Sequence, residues 1–431
     1  MTDLLNRDRL RELFATFGPG LLMAGAAIGV SHLVQATRAG AEFGLSLLGL
    51  VVLACILKYP FIEFGPRYAA ATGESLIRGY QRLGNWALGL FALITLSTML
   101  IIQASVTLVT AGLAGLVLGI DATITQLSFG VLIACICILA LGRFSALDRL
   151  MKLVVATLAI STLVAVMVAL GGAADRPGPG LFSASDEIWT AAGIAFVLAL
   201  LGWMPIPLDV AAWHSLWTLE RAAQTGVKPR VSHAVLDCRF GYLGATVTAV
   251  IFLLLGALVM FGSGQTLSAQ AVGFSGQLVD LYAASLGDWS RPLISIAALT
   301  AMFSTTLAVT DAYPRVIRAM IEISGVAQED RTGRNLDLHR GRYVTALLFV
   351  TIGALVIILY FGDSFTALID FATTVSFLAA PILAWINLRV ITADFMPEQH
   401  RPGRALMALS WAGFIFLVAF CLIWLGWRVF S

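Results

Sequence analysis

The stretch GIAFVLALLGWMPIPLDVAAWHS, residues 193–215, is apolar enough to lie in a membrane, yet it carries Pro205 and Pro207 two residues apart near its centre. Each proline removes a backbone donor and crowds the preceding turn, so an intact helix through both is excluded. Backbone left unwound at membrane depth survives only where protein or a water-filled cavity surrounds it. A second stretch, FGPGLLMAGAAIGVSHLVQATRAGAEFG at residues 17–44, has the same character in milder form. Its middle, Gly25 to His32, combines small residues with Gly29 and the polar pair Ser31–His32.

Outward from these two stretches, the chain is 431 residues long, 59% hydrophobic and only 12% charged. Soluble domains are about 25% charged, so the composition describes one polytopic membrane body rather than two or three soluble domains. Eleven apolar runs are long enough for helices to cross a bilayer: about 16–36, 44–65, 84–110, 126–142, 147–170, 189–215, 239–263, 290–316, 343–361, 365–388 and 405–427. They are continuous rather than alternating, which excludes a β-barrel. The five cysteines have no metal-site spacing and form no disulfide framework. No nucleophile–base pair stands at credible spacing for an enzyme, and the basic loops are short and membrane-flanking, which gives nucleic acid no purchase.

Lys and Arg are concentrated in alternate connections, among them Arg67, Arg78, Arg82, Arg143, Arg149, Lys152, Arg221, Lys228 and Arg230. The opposite connections carry Asp121, Asp175, Asp186, Asp288 and Asp363 instead. This asymmetry predicts a cytoplasmic N-terminus in a bacterial inner membrane and, with an odd number of spans, an external C-terminus. The breaks fall in spans 1 and 6, five apart, which is the spacing of transporters built from two repeats of inverted topology. The expected organisation is a leader at 1–15, a first repeat at 16–170 and an external connection at 171–188. A second repeat at 189–388 follows, and then residues 389–431, a loop with span 11.

The run GPGLLMAGAAIGVSHLVQATRAGAEFGLSLL at 18–48 resembles the opening of the Nramp family of divalent-metal transporters, as do ATGESL at 71–76, WHS at 213–215 and AMFSTTLAVTDAY at 301–313. The resemblance implies an all-α integral membrane protein with the LeuT-like 5+5 inverted repeat of the amino acid–polyamine–organocation superfamily. It has a conspicuous gap. The metal-binding Asp-Pro-Gly-Asn motif of the family falls on Gly29, Val30, Ser31 and His32. The family's Met-Pro-His motif falls either on Pro207, Leu208 and Asp209 or on Met204, Pro205 and Ile206, depending on the anchor.

A divalent cation in low dielectric needs anionic compensation. Half-helix N-termini, in contrast, present unpaired N–H groups and a positive dipole end to an anion. The first expectation is therefore a small inorganic anion, specified as bicarbonate by the resemblance to acid-poor branches of the family. Gly29, Ser31, His32, Trp203, Met204, Pro205 and Asp209 are its candidate site. The alternative is a divalent metal held in an altered site by Met204, Asp209 and His32. A non-transporting membrane receptor or scaffold is the third. No cofactor is expected beyond a sodium ion for coupling, which the resemblance places on hydroxyls of span 8: Ser304, Thr305, Thr306 and Thr310. Lys58 and Glu63 in span 2 and Asp370 in span 10 are candidates for gating or a proton path. The expected partners are the small ion and the lipid bilayer, with no nucleic acid and no obligate protein partner.

Overall fold

A computed structural model describes residues 15–140, 144–171, 186–324 and 333–430. The expected leader up to residue 14, most of the 171–188 connection and residues 325–332 of the polar loop lie outside the described residues. The described residues form helices and short connections. Span 1 is α1 (Pro19–Ala27), a π-helical segment (Val30–Ala36) and α2 (Thr37–Phe43). Then come α3 (Leu48–Thr72), α4 (Leu76–Leu83), α5 (Asn85–Leu118), α6 (Ile124–Ala140) and α7 (Phe144–Gly171). Span 6 is split into α8 (Ala191–Trp203) and α9 (Val210–Thr225). The remainder is α10 (Val231–Val259), α11 (Ala271–Leu286), α12 (Ser290–Ser324), α13 (Gly333–Phe361), α14 (Phe365–Thr392) and α15 (Arg404–Phe430).

Among the described residues each expected apolar run falls on a helix or, for the first and sixth, on a broken one. Eight helical stretches of the described residues, counting the broken Pro19–Phe43 as one, are long and apolar enough to cross a membrane, and Ile124–Ala140, Ala156–Gly171 within α7 and Ala191–Trp203 are shorter and apolar. Two helices were not expected. The run at 264–289, expected to be a connection, contains α11, whose Ala271, Phe274, Ser275, Leu278 and Tyr282 recur at helical spacing and are buried. The short α4 starts with Ser75 as an N-cap, its hydroxyl accepting from Arg78 N.

Packing places the two broken spans together. The first span lies along α10, and small residues bring the backbones close. A Cβ on Gly20 would stand 2.0 Å from Asp237 O, and one on Gly241 2.0 Å from Gly20 O. Farther along, Gly40 and Gly256 make the same approach to Leu253 O and Thr37 O. The carboxylate of Asp237 accepts from Gly18 N and Gly20 N at 3.1 and 2.6 Å, satisfying the otherwise unpaired first donors of α1. On the far side α5, α12 and α13 pack on one another, and α12 also meets α1. The breaks therefore sit between a pair of broken helices and a wall of intact ones.

Candidate functional site

At the first break α1 ends with Ile28 N donating to Ala24 O, and the chain turns at Gly29. The Gly29 carbonyl then accepts from His32 N and Leu33 N at 3.1 and 2.9 Å, starting the π-helical segment. Glycine is required here because a Cβ would lie 2.6 Å from both Oγ1 and Cγ2 of Thr305. In turn, Thr305 Oγ1 donates to Gly25 O at 2.9 Å, joining α12 to the end of α1. At the second break α8 stops at Trp203, Met204 is extended, the Met204–Pro205 peptide is cis, and helix resumes at Val210. The double proline thus unwinds residues 204–209, as its chemistry demands.

Between the breaks lies a cavity of about 30 Å³, close to the share of one water molecule. Ala27, Ser31, Trp203, Pro207, Trp213 and Thr305 are among its walls, and no charged side chain lines it. Of the seven expected substrate residues, Ser31 and Trp203 face this cavity; Gly29, His32, Met204, Pro205 and Asp209 do not line it. Trp203 is also anchored, its Nε1 donating to Ser376 Oγ in α14 at 2.9 Å. Met204 is fully buried. Asp209 stands at the N-terminus of α9 without capping it, and its Oδ2 is buried without a hydrogen-bond partner. Trp213, which the sequence did not single out for the site, lines the cavity with an unpartnered Nε1.

His32 points away from the cavity, to α10. Its Nε2 lies 2.8 Å from Ala245 O, which can only accept, so Nε2 carries a proton. Ser31 Oγ is 2.8 Å from His32 Nδ1 and 2.6 Å from Ala27 O. One hydroxyl proton serves two acceptors there unless Nδ1 is protonated as well. His214, buried in α9, makes no side-chain hydrogen bond and has no link to Asp209.

The four expected sodium-site hydroxyls do not converge. Thr305 reaches α1, and Ser304 Oγ lies on the same side, toward Gly25. Thr306 Oγ1 pairs instead with Thr110 Oγ1 of α5 at 2.7 Å, and Thr310 accepts from Gln103 of the same helix at 3.0 Å. Lys58 and Glu63, both offered for gating or a proton path, do not bond each other. Lys58 donates to main-chain carbonyls of Leu201, Gly202 and Met204, whereas Glu63 is held by Tyr59, Arg67 and Arg239.

Two ionic ties flank the breaks. Asp370 of α14 is gripped by Arg38 of α2 at 2.7 Å and accepts from Gln35 at 3.0 Å. The Arg38 guanidinium also covers the Phe196 ring of α8 at 4.8 Å. On the opposite side Arg315 of α12 bonds Asp311 at 2.6 Å and Glu220 of α9 at 3.2 Å, and Tyr343 of α13 donates to Asp311 at 2.7 Å. The sequence offers Asp370 for gating or a proton path but gives no sign of its partner.

The family model described as Natural resistance-associated macrophage protein-like matches residues 20–426. The chain belongs to the Nramp family. An uncharacterized protein of Pasteurella multocida is 33% identical over 99% of this chain and 96% of its own length. A divalent metal cation transporter, MntH, of Listeria monocytogenes is 25% identical over 60% of this chain and 58% of that protein. A metal transporter, Nramp1, of Populus trichocarpa is 26% identical over 74% of this chain and 59% of that protein. Among solved structures, the manganese transporter of Eremococcus coleocola superposes with a TM-score of 0.72 at 17% identity, covering 95% of this chain and 86% of that one. The nucleobase-cation-symport-1 family transporter Mhp1 does so with a TM-score of 0.58 at 13% identity, covering 96% and 92%. The fold is therefore the LeuT-like one, in a multi-pass membrane protein of a family of transporters rather than enzymes.

Proposed function

We propose that this chain is a secondary active transporter that carries a small inorganic ion through the paired breaks by alternating access. The observation that supports it is a small cavity between the two breaks, with an ionic tie on either side of it. Opening one tie at a time would admit solution from one side at a time. In the bilayer we place the N-terminus in the cytoplasm of a bacterial inner membrane and the Arg38–Asp370 tie outside, from the Lys and Arg asymmetry.

Kinship favours a divalent metal cation as cargo, since the Listeria relative is named a divalent metal cation transporter and the Populus one a metal transporter. Of the cargos expected from the sequence this one is the better supported; the comparisons lend nothing to bicarbonate or to sodium coupling. The Met204 thioether, Asp209 and carbonyls at the end of α1 would be its donors, a set suited to a borderline transition metal. One observation favours the anion as a second reading. The cavity has no charged wall, and among the described residues no three His, Cys, Asp or Glu side chains are grouped to hold a metal. A divalent ion stripped of water there meets no compensating charge. A monovalent anion such as bicarbonate would use the Ser31 hydroxyl and the first turn of α9.

Purified protein in liposomes separates these. Manganese influx is followed alongside internal pH on addition of bicarbonate, each with and without a sodium gradient. Saturable manganese influx establishes the metal, bicarbonate-driven alkalinisation establishes the anion, and a protein that moves neither is not a carrier of this kind.

A further inference from the structure

Lys58 of α3 is 1% exposed and lies in the middle of an apolar helix. Its ammonium donates to Leu201 O at 3.1 Å, Gly202 O at 3.0 Å and Met204 O at 2.9 Å. These carbonyls belong to the last turn of α8 and the first unwound residue after it. The C-terminus of a helix leaves such carbonyls unpaired and is the negative end of its dipole. Converging carbonyl oxygens are also what a small hard cation takes in place of its water. Here an ammonium with three protons meets three acceptors. Lys58 does not line the cavity, so it acts through α8.

We infer that Lys58 is a tethered cation that fills a cation site at the carbonyl end of α8. It is a positioning residue: by holding that end it fixes Trp203, which walls the cavity. It also determines specificity, because the one negative helix pole at the second break is closed to any mobile cation, whether cargo or coupling ion. Its bearing on transport rests on the break being the transport path; its occupancy of the carbonyl site does not.

The test is thermal unfolding of purified wild type and Lys58→Ala, in ammonium, sodium or choline chloride at matched ionic strength. Truncation to alanine opens the carbonyls to a small ion. Lys58→Ala is expected to unfold at lower temperature in choline and to gain about 3 °C or more in ammonium or sodium, whereas wild type shows no such difference. An alanine variant that responds alike to all three salts overturns the inference. Should alanine fail to fold, Lys58→Ser keeps the opening and is read by the same criterion. In liposomes, Lys58→Ala flux is expected to depend on ammonium or sodium, and Lys58→Met, which fills the space without charge, to lose about tenfold with no rescue by either. Wild-type flux from Lys58→Met overturns the positioning role. Wild type that moves no ion removes the transport proposal and leaves the unfolding result to stand alone.

Discussion

Arg38 reaches from the second half of span 1 to both carboxylate oxygens of Asp370 in α14, at 2.7 and 3.3 Å. The two residues lie 332 positions apart, and their contact ties a broken helix to an intact one over the cavity. A vestibule of about 710 Å³ opens beside the pair, walled by Glu42, Phe43, Phe196 and Phe371. The pair is partly exposed, so it is worth roughly 1–2 kcal/mol, enough to shift a two-state opening about 5- to 30-fold.

Asp370→Asn therefore favours opening on that side. With native cysteines replaced, a cysteine placed at Phe196, which lines the vestibule but is buried under Arg38, is expected to react with a water-soluble maleimide several times faster in the variant. An unchanged rate would show that the tie does not hold the closed state.

The opposite tie predicts the reverse. Asp311 accepts from both Arg315 and Tyr343, so Asp311→Asn loosens α12 from α13 and frees Arg315 from its nearer partner. Labelling at position 196 is expected to slow, since the molecule shifts toward opening on the other side. Faster labelling would contradict a two-tie device.

Gly29→Ala drives a methyl group into Thr305, and overpacking of this kind costs about 1–3 kcal/mol. Thr305→Ala removes the two nearest atoms and keeps the Cβ at 2.9 Å, so the double variant is expected to recover part of the lost unfolding temperature beyond the sum of the single effects. Additive losses would place Gly29 somewhere other than against Thr305.

Ser31→Ala leaves Ala27 O and His32 Nδ1 without their shared hydroxyl, a loss of about 1–3 kcal/mol for buried groups. Flux is expected to fall together with unfolding temperature, and His32→Ala to do the same by freeing Ala245 O. A Ser31→Ala protein with full flux would remove the cavity hydroxyl from the cargo's path.

Much of this was written in local chemistry. Two prolines within three residues unwind a helix wherever they occur, so the second break was legible at Pro205 and Pro207. The first was legible from Gly29 beside Ser31 and His32. Side chains that act across the bundle were not legible. Ser304, Thr305 and Thr306 are consecutive, and each step turns a helix by about 100°, so they cannot share one face. Thr306 and Thr310, four apart, turn together toward α5. Glu63 meets Tyr59 and Arg67 four residues away on its own helix, which sequence spacing can show, but Lys58 finds its partners on α8, which only tertiary packing supplies. Asp237, which holds the start of α1, carries no local sign of that role.

The central claim, that an ion passes between the two breaks, is tested most directly by filling the cavity. Ala26 is one of its walls, and Ala26→Leu places three more carbon atoms in a space of about 30 Å³. Wild type and variant, both monodisperse after purification, are compared in liposomes for manganese influx and bicarbonate-driven alkalinisation. The account predicts that wild type moves one of these ions and that Ala26→Leu moves neither. Equal flux through wild type and the filled variant would contradict it.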